Sequence, residues 1–368
     1  MVASVKDVAA RAGVSPSTVS NFFHRPHLVS AKNRERVDAA ISELGYVPNE
    51  SARQLRSGTS KTIALNLLDA WIPFYSSMSR GVEDAVREQG WTPFFGNSGR
   101  DPERERGNIE MFESHRVQGL IISPVADASE QLLRLQSKGI QCIAVSPLVE
   151  HPAIPSISFD DFRGGQLAGE HLVQIGRKRI MFIGRNQISH SANRLAGLRA
   201  AVTAALGAAA DVTVLQVRAL DIENGLIAAT DIIGQPRATW PDAIFAANDM
   251  LALGAMTAFI RAGIRIPDDI ALVGYDDDNY AAMAVVPLTT IRQPSYDMGH
   301  RAAEILLHHI AHPTAPIEHI SFEGSVIIRE STFGAEAHAA PTVEKPTLRK
   351  GSARQHRPVS PLPHHDIA

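Results

Sequence analysis

The stretch GVSPSTVSNFFHRP, residues 13–26, joins a tight turn to the start of a short helix. Gly13 is typical of the position just after a helix, and Ser15 followed by Pro16 predicts an N-cap and the first turn of the next helix. A third helix should begin after Ser30, a second capping residue. Three short helices with a glycine-containing turn predict a helix-turn-helix, in which the second helix enters the DNA major groove.

The predicted second helix carries side chains that suit DNA. Ser17 and Asn21 lie four residues apart, so they share one helix face and can reach base edges. An asparagine side chain offers a donor and an acceptor that match adenine. A capped three-helix bundle without a DNA function is the alternative. Further contacts, mainly to phosphates, are predicted for hydroxyl and cationic side chains in and around this helix: Ser15, Thr18, Ser20, Ser30, Lys32 and Arg34.

Residues 46–58, YVPNESARQLRSG, predict a second DNA-contacting element. Asn49 suits an N-cap, and only about two helical turns follow, too few for stability in isolation. Arg53, Leu55 and Arg56 combine cationic side chains with an apolar wedge, as expected for an element that enters the minor groove. A flexible linker with incidental arginines accounts for this composition equally well.

From Lys61 onward, apolar runs alternate with amphipathic helical segments. Strands that are apolar on both faces and separated by helices imply an α/β fold with parallel sheets covered by helices. Nine such runs exceed a typical sheet of about five or six strands, so two sheets in two lobes are predicted. The runs are TIALNLL, TPFFGN, GLIISP, CIAVS, SISFD, RIMFIG, VTVLQV, AIFAAN and IALVGYDD.

These patterns divide the chain into four parts. The tail is rich in proline and histidine and poor in large apolar residues, so it is predicted to be disordered. Its pair His364 and His365 has no partner at metal-ligand spacing, and no metal site is predicted there. The parts are a helix-turn-helix domain (1–47), a hinge helix and linker (48–60), a two-lobed effector-binding and dimerisation domain (61–334) and the tail (335–368).

Charge and composition limit the function classes. The 368 residues carry a net charge of −3, but residues 1–61 hold nine Lys and Arg against five Asp and Glu, a net +4 that leaves −7 for the rest. A basic head on an acidic body indicates a DNA partner. Cys142 is the single cysteine, which excludes an intramolecular disulfide. With neither a secretory signal nor a membrane-spanning run, we expect a cytoplasmic protein associated with the nucleoid.

Polar residues that follow predicted strands indicate a ligand site. In open α/β sheets, ligands bind beyond the carboxyl ends of the strands, and Asp160, Asn248 and Asp276 each follow an apolar run. Arg194, near the start of a helix, adds a forked donor suited to a polyol, unless it only pairs with an acid on the surface. Asp249 is expected to cap the following helix rather than to contact ligand.

Phe74 and Tyr75 offer flat faces for a sugar ring or a base, and the pattern leaves open whether they contact ligand. The three aspartates at 276–278 lack the glycine and glutamate spacing of a calcium loop, so no metal site is predicted. The segment IGRNQISHSANR holds a serine and a histidine, yet no nucleophile elbow, phosphate-binding loop or metal motif accompanies them. No cofactor and no catalytic residue are therefore predicted.

Longer phrases over residues 4–334 resemble the LacI/GalR family of bacterial transcription regulators. The head phrases are VKDVAARAGVSPSTVS, VSAKNRERVDAAISELGYVPN and SARQL. The body phrases are DPERER, GLIISP, RLAGLRAA, AANDMLALGAM, LVGYDD, PLTTIRQP and VIIREST. The resemblance implies a dimer on a pseudo-palindromic operator, paired hinge helices at its centre, and a body like the periplasmic sugar-binding proteins, with three chain crossings and ligand in the cleft.

The resemblance also implies roles for individual residues. It favours ligand contact for Asn248, Asp276 and Arg194. Many members have arginine where this chain has Asn21, and arginine prefers guanine, so the half-site should differ from the commonest family operator. In the head it implies that Pro16, Ser17 and Asn21 occupy the base-reading positions. In the hinge it implies that Ala52 and Arg53 lie on the minor-groove face and that Leu55 is the leucine that wedges into the central base step of the operator.

Together, these observations predict a sequence-specific DNA-binding repressor whose operator affinity is modulated by a small-molecule effector between two lobes, with a sugar favoured. A homodimer, or a tetramer built from dimers, is expected. The alternative is a cytoplasmic sugar-binding receptor without DNA function, which would leave residues 1–58 without a purpose. An enzyme is a second alternative that no motif supports.

Overall fold

The chain forms two compact units, Met1–Ser60 and Lys61–Ala368. The computed structural model describes residues 3–46, 60–146, 148–149, 151–333 and 349–350. The predicted hinge contacts Ala52, Arg53 and Leu55 lie outside the described residues, as do all but two residues of the predicted tail.

The N-terminal unit is a helix-turn-helix. Its elements are α1 (Val5–Ala12), α2 (Pro16–His24), a 3-10 turn (Pro26–Leu28) and α3 (Ala31–Leu44). Gly13 and Gly45 end α1 and α3 in the left-handed conformation, with φ of 62° and 58°, which glycine adopts without a steric penalty. Val8, Val19 and Val37 are fully buried between the helices. Packing therefore stabilises helices that are too short to be stable alone.

The second unit contains two lobes, each built on one sheet. Within the described residues, the first sheet has the order β13-β11-β5-β4-β3-β1-β2, parallel except for β13 at the edge. The helices α4 (Pro73–Glu88), α5 (Pro102–Ser114), α6 (Ser129–Ser137) and α12 (Ser295–Ala311) pack on it. The strands are β1 (Thr62–Leu67), β2 (Thr92–Asn97), β3 (Gly119–Ile122), β4 (Gln141–Val145), β5 (Ser156–Phe159), β11 (His319–Phe322) and β13 (Arg349–Lys350).

The second lobe repeats this plan. Its sheet has the order β12-β10-β9-β8-β6-β7 and is parallel except for β12. The strands are β6 (Arg179–Gly184), β7 (Asp211–Gln216), β8 (Ala243–Ala246), β9 (Ala271–Asp276), β10 (Thr289–Arg292) and β12 (Ser325–Ile327). The helices are α7 (Asp161–Gln174), α8 (Ser189–Leu206), α9 (Ile222–Ile233), α10 (Asp249–Arg261), α11 (Asn279–Met283) and α13 (Glu330–Phe333).

Up to Phe333, the described chain passes between the lobes three times, after β5, β10 and β11, through Asp160, Gln293 and Gly324. The crossings contact one another. The backbone N–H of Asp160 donates to the carbonyl oxygen of Phe322 at 2.9 Å. A Cβ atom on Gly324 would lie 2.7 Å from the carbonyl oxygen of Arg292, so the crossings can approach this closely only because residue 324 has no side chain.

The predicted parallel α/β architecture in two lobes is confirmed, and each of the nine predicted strands forms. The sequence does not predict β10 to β13, because these strands have only two to four residues and contain polar side chains such as Thr289 and Thr290. No helix in the described ranges has the length and apolar character needed to cross a membrane.

Candidate functional site

The second helix of the head begins as predicted. The Ser15 hydroxyl accepts a hydrogen bond from the backbone N–H of Thr18 at 3.1 Å and lies 2.7 Å from the Ser17 hydroxyl. Pro16 and Ser17 are exposed, whereas Val19 is fully buried. The first turn of α2 therefore presents polar atoms to solvent, where a DNA groove can approach.

Asn21, one turn further along α2, is half-buried, and its amide makes no hydrogen bond to any residue that the structure describes. That amide is therefore available to a base edge.

Ser30 also caps a helix, because its hydroxyl accepts from the backbone N–H of Asn33 at 3.4 Å. Of the predicted phosphate contacts, Thr18 and Ser20 are half-buried, and the others are exposed: Ser15, Ser30, Lys32 and Arg34.

A cavity of about 110 Å³ lies between the two lobes of the body. Residues that follow β1, β3 and β4 line it from the first lobe, and α8 with the ends of β8 and β9 line it from the second. A buried water needs only about 10–15 Å³ of such volume, so the cavity has room for several waters or one small molecule. Of the six predicted ligand contacts, Asp160 does not line the cavity. The other five do: Phe74, Tyr75, Arg194, Asn248 and Asp276.

Arg194 is the central charged group of the cavity. Its Nε donates to Asp161 Oδ1 at 2.8 Å, its Nη1 donates to the carbonyl oxygen of Ala247, and its guanidinium carbon lies 3.6 Å from the centre of the Tyr275 ring. Its Nη2 lies 3.9 Å from Asp276 Oδ1. Because the arginine is only 5% exposed, these carboxylates and the aromatic face stabilise a charge that water scarcely reaches. Arg194 is thus not a surface ion-pair residue.

The carboxylate that reaches the cavity after β5 belongs to Asp161, and not to the predicted Asp160. Asp160 caps α7, where its Oδ1 accepts from the backbone N–H of Arg163 at 2.8 Å. Asp161, the first residue of α7, is buried and also accepts from the Tyr275 hydroxyl at 3.2 Å. Burial raises the pKa of Asp161, and Arg194 opposes that shift. The sequence pattern located the strand end but not which of two adjacent carboxylates faces the cavity.

Asp276 ends β9 with an unusual backbone conformation, because its φ is 110° and residues with side chains rarely adopt positive φ. Its Oδ1 accepts a hydrogen bond from Gln293 Nε2 at 2.5 Å, so a residue of the second crossing holds this carboxylate. Burial raises the pKa of Asp276 to about 6, while Arg194 and Gln293 lower it. The Gln293 amide and the Arg194 guanidinium both favour the ionised carboxylate, which can accept hydrogen bonds from hydroxyl groups.

Asn248 lines the cavity and also caps α10. Its Oδ1 accepts from the backbone N–H of Leu251 at 3.0 Å, and its Nδ2 donates to the carbonyl oxygen of Leu220 at 3.0 Å. The prediction that Asp249 caps this helix is wrong. Asp249 is already the first helical residue, and its fully buried carboxylate accepts from the Thr290 hydroxyl at 2.7 Å.

His190 and Ser123 also line the cavity, and the sequence reasoning missed both. His190 lies one turn before Arg194 on α8, and burial together with Arg194 and Arg100 lowers its pKa well below the ordinary value. Its neutral imidazole offers one donor and one acceptor. The Ser123 hydroxyl is buried without a hydrogen-bond partner among the described residues. A search for polar residues after every strand, rather than after three, would have found Ser123 next to β3.

Phe74 and Tyr75 form a T-shaped pair at the start of α4, with ring centres 5.1 Å apart. Burial raises the pKa of Tyr75 to about 12, so its phenol remains a protonated donor at neutral pH. These two rings give the cavity an apolar wall to complement its charged and amide groups. The arrangement suits a small ligand with one apolar face and several hydroxyl or amide groups.

Arginine side chains lie against the aspartates at the end of β9. Asp277 pairs with Arg292 and with Arg329, each at 2.6 Å. Within the part of the chain that the structure describes, no three His, Cys, Asp or Glu side chains are grouped closely enough to hold a metal ion together.

Comparison with known proteins agrees with this arrangement of a DNA-reading head and a ligand-binding body. Residues 4–49 match the model of the bacterial regulatory proteins of the lacI family, and residues 170–332 match a periplasmic binding protein-like domain. The HTH-type transcriptional repressor PurR of Haemophilus influenzae is 31% identical over 334 residues, which cover 90% of this chain and 98% of the relative.

Two further similarities extend over most of the chain. The ribose operon repressor of Escherichia coli is 32% identical over 333 residues, covering 85% of this chain and 94% of the relative. A crystal structure of the Lac repressor dimer, bound to operator and the anti-inducer ONPF, superposes with a TM-score of 0.76 at 28% identity, covering 90% of this chain and 99% of that chain. With these relatives, and with a helix-turn-helix joined to a two-lobed body, the chain belongs to the LacI family of bacterial regulatory proteins.

Proposed function

We propose that this protein is a transcriptional repressor whose affinity for its operator is set by a small, uncharged, polyhydroxyl effector, a sugar or a close analogue, bound between the two lobes. The observation that carries the proposal is the Arg194 network. The buried Arg194 guanidinium supplies hydrogen-bond donors, and the carboxylates of Asp161 and Asp276 that hold it supply acceptors. These groups lie at the carboxyl ends of strands, where α/β folds bind ligands.

The charges that line the cavity favour an uncharged effector. Arg194 is compensated by two carboxylates, and Arg100 Nε lies 3.3 Å from Asp69 Oδ2. His190 adds no charge at neutral pH. Among the described cavity residues, no positive charge is therefore left over for a phosphate, whose binding normally uses arginine or lysine. Hydroxyl groups, in contrast, can both donate to Asp276 and accept from Arg194.

A purine base is the second candidate for the effector. The flat faces of Phe74 and Tyr75 support it, because they would stack on a base as well as on a sugar ring. The ribose operon repressor, of similar identity, favours the sugar. Carboxylates at Asp161 and Asp276 also favour a ligand rich in hydroxyl donors.

We infer a homodimer that binds a pseudo-palindromic operator in the bacterial cytoplasm, where chromosomal DNA is found. Tyr280, Met283 and Val285, in and after α11, are 58%, 82% and 85% exposed, and Ile222 and Ile227 on α9, which contacts α10 as α11 does, are exposed as well. Exposed apolar groups on adjacent elements are typical of a surface that binds another protein, and a second copy is the partner that two operator half-sites require. The Met283→Asp variant should therefore sediment as a monomer.

Selection of bound sequences from a random duplex pool with full-length protein tests the repressor function. Recovery of a pseudo-palindrome would support it, and recovery of no sequence preference with or without effectors would refute it. Operator release is then measured with pentoses, hexoses, disaccharides, sugar phosphates and purines. The His190→Ala variant should need a higher concentration of the active compound, whereas Arg199→Ala, an exposed position on the same helix, should respond as the wild type. Release by sugar phosphates alone would contradict the uncharged effector.

A further inference from the structure

α12 and its C-cap carry metal-ligating side chains that the proposed function does not use. In HRAAEILLHHIAH, residues 300–312, four such residues follow one another at spacings of four: His300, Glu304, His308 and His312. Residues four apart on a helix lie on the same face. His308 and His312 are both exposed.

The two exposed histidines are close to each other in the structure. The centres of the His308 and His312 rings lie 4.7 Å apart, and the ring planes are tilted by 33°. Two histidines at positions i and i+4 are the pair with which helices bind zinc in several metalloproteins, because both rings then reach one point beside the helix. The ring separation here is compatible with a single ion held between them.

A hydrogen bond determines which nitrogen of His312 is free. His312 Nδ1 lies 3.3 Å from the carbonyl oxygen of His308. Because a carbonyl oxygen can only accept, Nδ1 carries the proton, and the neutral ring then has its lone pair on Nε2. Metal-ligating histidines usually donate their other nitrogen to a carbonyl or carboxylate oxygen in this manner, which fixes the ring and increases its basicity. His312 is therefore already in the tautomer that a metal ion requires.

We propose that His308 and His312 form an open binding site for a divalent cation of the Zn²⁺, Ni²⁺ and Cu²⁺ class, with water in the remaining positions. Imidazole suits these ions, whereas Mg²⁺ and Ca²⁺ prefer oxygen ligands. Two ligands are consistent with the finding that no group of three is placed around one ion in the described residues. Glu304 is engaged with Arg301 at 3.0 Å and His300 with Glu304 at 3.5 Å, so these two are not assigned to the site.

The position of the site gives it a structural consequence. α12 starts directly after the second crossing and packs on α4, where a Cβ on Gly299 would lie 2.0 Å from the carbonyl oxygen of Met78. His312 is the C-cap of α12, and the chain beyond it leads to β11 and the third crossing. A cation held by both rings would link the last turn of α12 to its C-cap and so stabilise the connection to β11.

Calorimetric titration with ZnCl₂ tests the site in the full-length protein. Because the tail also contains histidines, the reference protein has alanine at His338, His356, His364 and His365. We expect this protein to bind one equivalent of Zn²⁺ and to give no heat with Mg²⁺. In the same background, His312→Ala should weaken binding about tenfold or more, because the second imidazole no longer binds intramolecularly. His300→Ala, on the same helix, should leave the affinity unchanged.

His308→Ala provides an independent variant, because alanine is the best helix former and should not disturb the helix. Unfolding curves in the presence of a chelator establish that the variants are folded. Zn²⁺ binding that survives replacement of both His308 and His312, or its absence from the reference protein, would overturn the proposal. These outcomes do not depend on DNA or effector binding, so they are separable from a failure of the repressor function.

Discussion

Replacing Asp161 by asparagine tests whether the buried charge of Arg194 is the organising feature of the cavity. Asparagine keeps the size of the side chain and an acceptor oxygen, so the change removes the negative charge but leaves the geometry. In the native protein the Asp161 carboxylate accepts from both Arg194 Nε and the Tyr275 hydroxyl, and its side chain is only 6% exposed. The variant therefore leaves a buried cation with a weaker set of partners.

The expected loss follows from the contacts that remain. Two unit charges about 4 Å apart attract by about 4 kcal/mol at an effective dielectric constant of about 20, and removing one partner of a buried ion pair costs about 3–5 kcal/mol. Arg194 keeps its hydrogen bond to Ala247, its stacking on Tyr275 and the Asp276 carboxylate at 3.9 Å. The loss should thus lie near the lower limit, about 3 kcal/mol. For a domain of this size that corresponds to a decrease in Tm of about 6–10 °C.

Urea unfolding of the purified body, followed by circular dichroism, measures this loss. Asp160→Asn is the matched control, because Asp160 caps α7 and asparagine is an equally good N-cap, so its stability should change by less than about 0.5 kcal/mol. If Asp161→Asn lowered the free energy of unfolding by less than about 1 kcal/mol, the Arg194–Asp161 ion pair would not be what stabilises the buried charge. Asp276 would then be the principal counter-charge.

Three further predictions concern pH, base reading and the hinge. Burial, with Asp276 nearby, raises the pKa of Asp278 to about 8, so at neutral pH the folded state retains a proton that the unfolded state has released. Between about pH 6 and about pH 8 the wild type should therefore lose about 2 kcal/mol more stability than Asp278→Asn, which keeps the smaller slope from Asp276, whereas the exposed Asp231→Asn should keep the full slope. Asn21→Ala should lose about 1–3 kcal/mol of discrimination at one base pair per half-site, and equal weakening on all sequences would show that Asn21 contacts only phosphate. Leu55→Ala should weaken specific operator binding in a gel-shift assay without changing effector affinity, and an unchanged operator affinity would exclude the wedge.

The sequence predicts the fold well because its signals are local and repeated. The caps at Ser15 and Ser30 and the terminating residues Gly13 and Gly45 set the ends of the head helices, and the structure has the predicted hydrogen bonds and φ values. In the body, strands buried on both faces are apolar throughout, and their alternation with helices implies a parallel sheet. Short strands such as β12, with three half-buried residues, have no comparable pattern and depend on pairing with β10.

The residues of the site are less predictable, because neighbouring residues in the sequence point their side chains in different directions. Asp160 and Asp161 are adjacent and chemically identical, yet one caps a helix and the other contacts Arg194. In the pair Asn248 and Asp249, the cap is Asn248 and not the expected Asp249, because the helix begins at Asp249. Tyr275, which supports the guanidinium, lies inside a predicted strand and resembles any other core residue in the sequence. These distinctions arise from tertiary packing, which local patterns do not encode.

The residues that line the cavity are also residues at the chain crossings, and this gives a physical route from effector to operator. Asp161 follows the first crossing, and Gln293, which holds Asp276, lies in the second. A ligand that contacts Tyr75 in the first lobe and Asp276 in the second would therefore act beside the segments that set the angle between the lobes, and close packing at Gly324 leaves these segments little freedom to move separately. Because such coupling is reciprocal, operator DNA should change effector affinity by the same factor by which effector changes operator affinity. An effector affinity that is the same with and without operator would show that the two sites are not coupled through these segments.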